Sequence, residues 1–385
     1  MDATSPLREP RRVLAAAAAL AAVLAAGACE RAGSDGAVST ERIPPPPPVQ
    51  AHVLALHPDR PRTAGLDSVR LAAVLARADS LERLRCLLVA RHGETLVERC
   101  RRGFSPDGVV NVKSVSKSVL SALVGIAIDE GHLAAVDQRV APLLSEHLDS
   151  VGPPKSRITI GHLLSMQSGL ERTSGRNYGA WVNSPNWVRD AIRRPMVQEP
   201  GGRMLYSTGN YHLLSAILTE ATGESTLSYA RSRLGAPLGI AIPAWETDPQ
   251  GIFLGGNNMR LTPRAMLRFG ELYRRGGEYE GRQVVPAHWI ETSLEPRTRS
   301  RWSGEAYGYG WFIGDAGGHR MFYGWGYGGQ FVFVVPDLAL TVVTTSDPYG
   351  PRGSGHLRAV HELLDRWIVP AAESGAGAGA APVSG

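Results

Sequence analysis

Strand-like patterning falls at both ends of the globular part of this chain, and helical patterning fills the space between; this constrains the fold most. Leu84–Cys100 reads as strand, a His92-Gly93-Glu94 turn, and strand. Strand patterns return only late, over Tyr307–Ile313, Arg320–Tyr323, Gln330–Pro336 and Leu340–Thr345. Between them, residues from about 111 to 295 are mostly helical with loops. Val119, Leu120, Leu123, Val124, Ala127 and Ile128 trace one helical stripe that Gly131 stops, and Tyr211–Thr222 repeats the pattern up to Gly223. A helix over Leu66–Leu81 opens the body and another over His356–Ile368 closes it. The expected class is α+β, an α/β sandwich: one antiparallel sheet assembled from both chain ends, with an inserted helical lobe and a cleft at the junction.

The flanks read differently. Arg8, Arg11 and Arg12 precede an uncharged stretch from Val13 to about Ala26, then Ala26-Gly27-Ala28-Cys29, the layout of an export signal over residues 1–28. Cleavage after Ala28 gives either a released protein or one lipidated at Cys29 and anchored to a membrane. Export would place the protein in the periplasm, on a membrane or outside the cell. Residues 29–51 form a linker with five consecutive prolines, Pro44–Pro48. The body is expected over 52–370 and a disordered Ala/Gly/Ser tail over 371–385. Export permits disulfides, and Cys86 and Cys100 lie symmetrically about Gly93; a bridge and two small buried thiols are both open readings.

The formal charge is +5, but no basic run exceeds Arg99–Arg102, so the excess reads as solvated surface and no nucleic-acid partner is expected. Of 41 basic residues only three are lysine: Lys113, Lys117 and Lys155. Arginine keeps its proton in proteins, whereas a desolvated lysine gives it up, so a retained lysine hints at work arginine cannot do.

Ser114 and Lys117, three apart at the start of the helix that begins near Asn111, share one face. A serine hydroxyl attacks well only when a neighbour takes its proton, and a buried amine of lowered pKa can do that. At the first turn, the Ser114 N–H is also free for a developing oxyanion. Ser116 and Ser118 lack a lysine three residues on. No His-Glu-x-x-His spacing, cysteine cluster, Gly-x-Ser-x-Gly elbow or phosphate loop is present, so neither a metal nor another cofactor is expected. His162 reads as a locally bonded residue.

These residues resemble the serine β-lactamase and penicillin-binding-protein superfamily, particularly class C β-lactamase-like serine hydrolases: esterases, D-amino-acid peptidases and 6-aminohexanoate-dimer hydrolases. Ser114–Lys117 matches the first motif. Ile158–Leu170, containing His162-Leu163-Leu164 and Ser168-Gly169-Leu170, resembles the HLL-x-x-x-SGL signature, and Glu199–Ser207 the segment carrying the second motif. The resemblance covers about residues 66–368. It implies that Tyr206 is the catalytic tyrosine, a general base for Ser114 that later protonates the leaving group. Thr208 stands where Asn is frequent, with Asn210 two positions on as a substitute amide. The resemblance also places the third motif at Gly326–Gln330, so Tyr327, Gly328 and Gly329 would line the substrate and the Gln330 N–H would be the second oxyanion donor. Tyr327 carries no positive charge where Lys or His is common. With Trp325, Tyr323 and Trp311 expected at the mouth, an uncharged ester or small amide suits the site. A D-alanyl peptide carboxypeptidase or weak β-lactamase at the cell wall, and a catalytically silent sensor, are the rival readings.

Overall fold

The computed structural model describes residues 65–147, 152–351 and 355–377. The export signal, the proline linker and Cys29 lie outside them. Eight strands build one antiparallel sheet: β1 (Leu84–Arg91), β2 (Glu94–Cys100), β3 (Thr298–Arg299), β4 (Ala306–Tyr307), β5 (Phe312–Ala316), β6 (His319–Gly326), β7 (Gln330–Val335) and β8 (Leu340–Ser346). Their order is β2-β1-β8-β7-β6-β5-β4-β3. The N-terminal hairpin thus pairs with the last strand, Leu88 opposite Val343, and the expected two-ended sheet is present. His92 and Gly93 both take positive φ at the hairpin turn, as a tight turn matched to strand twist requires. Cys86 and Cys100 pair directly across β1 and β2 and form a disulfide with an S–S distance of 2.06 Å.

Helices cover both faces, which is why β1, β7 and β8 are buried nearly throughout. On one face lie α1 (Ser68–Ser80) and the C-terminal helix His356–Leu363, whose His361 packs on Phe331 and Phe333. On the other lie α2 (Ser116–Asp129) and the helix Pro263–Arg274, opened by a Thr262 cap that accepts from the Ala265 N–H. The inserted lobe includes α3 (Ile160–Leu164) and α4 (Thr208–Thr222), packed on each other and, through α4, on α2.

Three boundaries differ from expectation. The helix expected from Asn111 begins as a 3-10 turn over Lys113–Val115, because Asn111 is paired with Arg260 in a short ladder and Lys113 takes φ 53°. The strand expected over Tyr307–Ile313 is two strands: Gly310, at φ 87°, breaks it and turns Trp311 into the core, while its carbonyl accepts from Ser118 Oγ at 2.7 Å. The tail expected from residue 371 is helical as far as Gly377. Ala371 and Ala372 are fully buried, and the Ala372 carbonyl accepts from Arg91 Nη1 at 2.6 Å. Small side chains, read as disorder in sequence, let this helix sit close against α1.

Candidate active site

Ser114 lies in the 3-10 turn that leads into α2, and Lys117 lies in the first turn of α2. The turn is braced from below. The Lys113 N–H donates to Asn111 Oδ1 at 2.9 Å, and Asn111 Nδ2 donates to Asn258 Oδ1 at 3.0 Å. Ser116 Oγ donates to the Lys113 carbonyl and accepts from the Met259 N–H, so this rival serine is committed to structure.

Lys117 Nζ donates to Ser114 Oγ at 2.9 Å and to the Gly256 carbonyl. It is 1% exposed and makes no ion pair among the described residues. Burial disfavours the ammonium and lowers its pKa from 10.5 to about 7. At neutral pH a large share of the molecules therefore holds a free amine beside the serine hydroxyl.

Tyr206 arrives from the lobe, and local bonds explain its delivery. Gln167 Nε2 donates to the Gly201 and Gly202 carbonyls, the Gly201 N–H donates back to the Gln167 carbonyl, and the Leu205 N–H donates to the Met166 carbonyl. The loop carrying Tyr206 is thereby clamped to the end of the Ile158–Leu170 segment. His162 forms a reciprocal capping box with Thr159 at the start of α3. The Tyr206 ring lies 4.9 Å from Lys117 Nζ, and its hydroxyl is near enough to Ser114 for that hydroxyl to ease its ionisation. Burial pushes this phenol up to about 12, with Ser114 partly opposing the rise. Hydroxyl, amine and phenol from two distant stretches thus meet in one place. A resting tyrosinate is disfavoured there.

Of the third-motif residues, Gly326 lies against the nucleophile turn, and β7, which Gln330 opens, also packs on that turn. Tyr327 stands half exposed in the turn between β6 and β7, without ring contacts. A side-chain carbon on Gly328 would strike Pro348, and one on Gly329 would strike Ser346 and His356. Gln330 opens β7, which is flanked by β6 and β8, so its backbone faces a neighbouring strand; its amide side chain is bonded to the Ser346 backbone. The strand segment beside the nucleophile turn is Gly324-Trp325-Gly326 of β6. A Cβ on Gly326 would lie 2.3 Å from the Val112 carbonyl, and one on Gly324 2.9 Å from Ser118 Oγ, so only glycine permits this approach. Pairing with β5 closes at Ala316↔His319 across Gly317-Gly318 and ends at Tyr323↔Phe312. By strand alternation, the Trp325 N–H and carbonyl face the side where β5 no longer runs.

The aromatic mouth also changes identity. Trp311 is core, packed on Tyr273 and Phe322, and the Tyr323 hydroxyl is bonded to Glu305. The aromatic at the mouth is Trp302, 63% exposed, 6.2 Å from the Tyr206 ring and stacked on the Arg172 guanidinium. Asn210 is buried and accepts from Ser168 Oγ at 3.1 Å, while Thr208 is bonded to Ser174. The residues that sequence reasoning passed over lie in Gly255-Gly256-Asn257-Asn258: the Gly256 carbonyl on Lys117, Asn257 on the Tyr178 hydroxyl at 3.2 Å, and Asn258 on Asn111. Paired glycines followed by paired asparagines were the available signal. Among the described residues no group of His, Cys, Asp and Glu side chains could hold a metal ion.

The family model described as Beta-lactamase matches residues 86–365. A 6-aminohexanoate-dimer hydrolase of Paenarthrobacter ureafaciens is 28% identical over 275 residues, covering 64% of this chain and 68% of that protein. Among solved structures, a penicillin-binding protein homologue from Caulobacter crescentus superposes with a TM-score of 0.62 at 19% identity, over 81% of this chain and 99% of the other. EstCE1, a hydrolase with promiscuous acyltransferase activity, superposes with a TM-score of 0.64 at 17% identity, over 77% and 98%. At these identities the structural likenesses speak for the fold.

Proposed function

We propose, from the premise that this chain belongs to the beta-lactamase family of serine hydrolases, that it cleaves an ester or small amide through an acyl-enzyme on Ser114. The observation that carries the reading is the 2.9 Å contact between Ser114 Oγ and a lysine amine buried to the point of titrating near neutrality.

In the first half-reaction, Ser114 Oγ bonds to the substrate carbonyl carbon while its proton passes to the Lys117 amine. The Ser114 N–H, without an acceptor among the described residues, and the Trp325 N–H take the oxyanion. Collapse breaks the bond to the leaving group, which takes the Tyr206 phenolic proton; the Lys117 ammonium then reprotonates the phenolate. Water attacks the acyl-enzyme with the same groups acting in reverse, returning the acid product and the free hydroxyl. The relative named a 6-aminohexanoate-dimer hydrolase and the aromatic Trp302 beside Tyr206 support the substrate class.

Intact-mass labelling with a fluorophosphonate, followed by a panel of ester, amide and β-lactam substrates, tests this. One label is expected on wild type and on Ser116→Ala if that variant folds, and none on Ser114→Ala. A label retained in Ser114→Ala sinks the assignment, and fast cephalosporin turnover without ester cleavage redirects the substrate class.

A further inference from the structure

A cavity of about 350 Å³ opens beside the nucleophile turn. Asn111, Lys113 and Gln330 line it, whereas Ser114 and Tyr206 do not. The disulfide-tied Cys86 lies in its wall. The volume is at the lower end of the range for small-molecule sites.

Two properties distinguish it from an ordinary surface dent. Phe104, Val109 and Tyr349 converge on it and are 43%, 48% and 73% exposed; together they form an apolar patch of the kind that marks a ligand site. Two cations stand among them. Arg85 lies 4.8 Å over the Phe104 ring and is neutralised by Asp347 at 3.3 Å. Lys113 lies with Nζ 5.5 Å from the Tyr349 ring and has no carboxylate partner among the described residues. The nearby Asp107 is engaged by Arg264. The cavity therefore carries one positive charge without a carboxylate partner, with Phe104, Val109 and Tyr349 on its apolar side and Ser105, Asn111, Gln330, Thr345 and Ser346 on its polar side.

Lys113 itself needs an explanation. It holds φ 53°, a conformation that costs a long side chain energy and would suit glycine or asparagine better. It is one of only three lysines among 41 basic residues. The φ belongs to the turn that presents Ser114; what the turn leaves unexplained is a long cation in the cavity wall with no carboxylate partner among the described residues.

We propose that this cavity is a second binding site, taking a monoanionic amphiphile of the medium-chain carboxylate type. The carboxylate pairs with Lys113, and the hydrocarbon lies on Phe104, Val109 and Tyr349. The hydrocarbon needs an apolar surface and the charge a single cation; an alcohol of the same length meets only the first need. The site stands apart from the hydrolase reading, since it uses neither Ser114 nor Tyr206.

Octanoate titrated by calorimetry into the protein, both free and blocked with diisopropyl fluorophosphonate, provides the test. Binding at about millimolar Kd or tighter is expected in both forms. Octanol should bind at least fivefold more weakly, as should octanoate to Lys113→Met and to Val109→Trp, which fills the cavity; circular dichroism checks that each variant is folded. Binding lost on blocking places octanoate in the catalytic cleft and overturns the proposal, as does absence of binding or indifference to both substitutions. A protein that takes no fluorophosphonate label counts against the nucleophile alone, because the free form still reports on the cavity.

Discussion

Replacing Lys117 with methionine should abolish acylation of Ser114 and, at neutral and acidic pH, make the protein more stable. The reason is the cost of a buried ammonium. An ordinary lysine ionises at 10.5, and burial lowers Lys117 to about 7. Between those values the unfolded chain binds a proton that the folded chain does not, so stability rises with pH by up to about 1.4 kcal/mol per unit. Across the interval from about 7 to 10.5 this amounts to about 5 kcal/mol, an upper bound, all of it lost at pH below 7 and recovered at pH above 10.5. Methionine removes that cost but strands the Gly256 carbonyl, at about 1–3 kcal/mol. The variant should therefore be about 2–4 kcal/mol more stable than wild type at pH 6, with the sign reversing between about pH 8 and 10. Urea unfolding of both proteins at pH 6, 8, 9 and 10 reads this directly, since other ionisations cancel in the difference. A difference that does not change with pH would refute the claim that Lys117 is held as a free amine.

Other outcomes follow from the same geometry. The rate of Ser114 acylation should climb through a single ionisation near pH 7 as Lys117 loses its proton, then stay level; pre-steady-state labelling across pH 5–10 checks it, and a midpoint near 10 would contradict it. Tyr206→Phe keeps the ring beside Lys117 but removes the acid, so turnover should fall by roughly 10²–10⁴ while the pH dependence of stability is unchanged, as parallel kinetics and unfolding would show. Replacing both Cys86 and Cys100 with alanine opens a loop closed across 14 positions and should cost about 3 kcal/mol, measured by denaturant midpoint under oxidising conditions.

What could be read from the sequence was what local chemistry decides. The α2 stripe, the hairpin centred on Gly93 and the Ser114–Lys117 spacing depend on neighbours within a few positions, and all three appear in the structure. What could not be read depends on distant partners. Tyr323–Gln330 alternates aromatic residues with glycines, so nothing local says which glycine meets the nucleophile turn; Val112 and Ser118 decide in favour of Gly324 and Gly326. The break at Gly310 is set by Trp311 finding Tyr273. The last helix is set by Arg91, from the opposite end of the chain, binding the Ala372 carbonyl. Tyr206 was legible as a residue, but its inability to rest as tyrosinate comes from burial that only the assembled cleft supplies.

The placement of β1 beside β8 has a consequence for biosynthesis. Leu88 waits for Val343, so a ribosome has made nearly the whole protein before the middle of the sheet can close. Until then the early hairpin presents an unpaired border whose centre, Cys86–Ala90, is apolar, open to mispairing with other nascent chains. Its crosslink, which needs only residues 86 and 100, can lock the hairpin's register early, while the partner strand is still unmade.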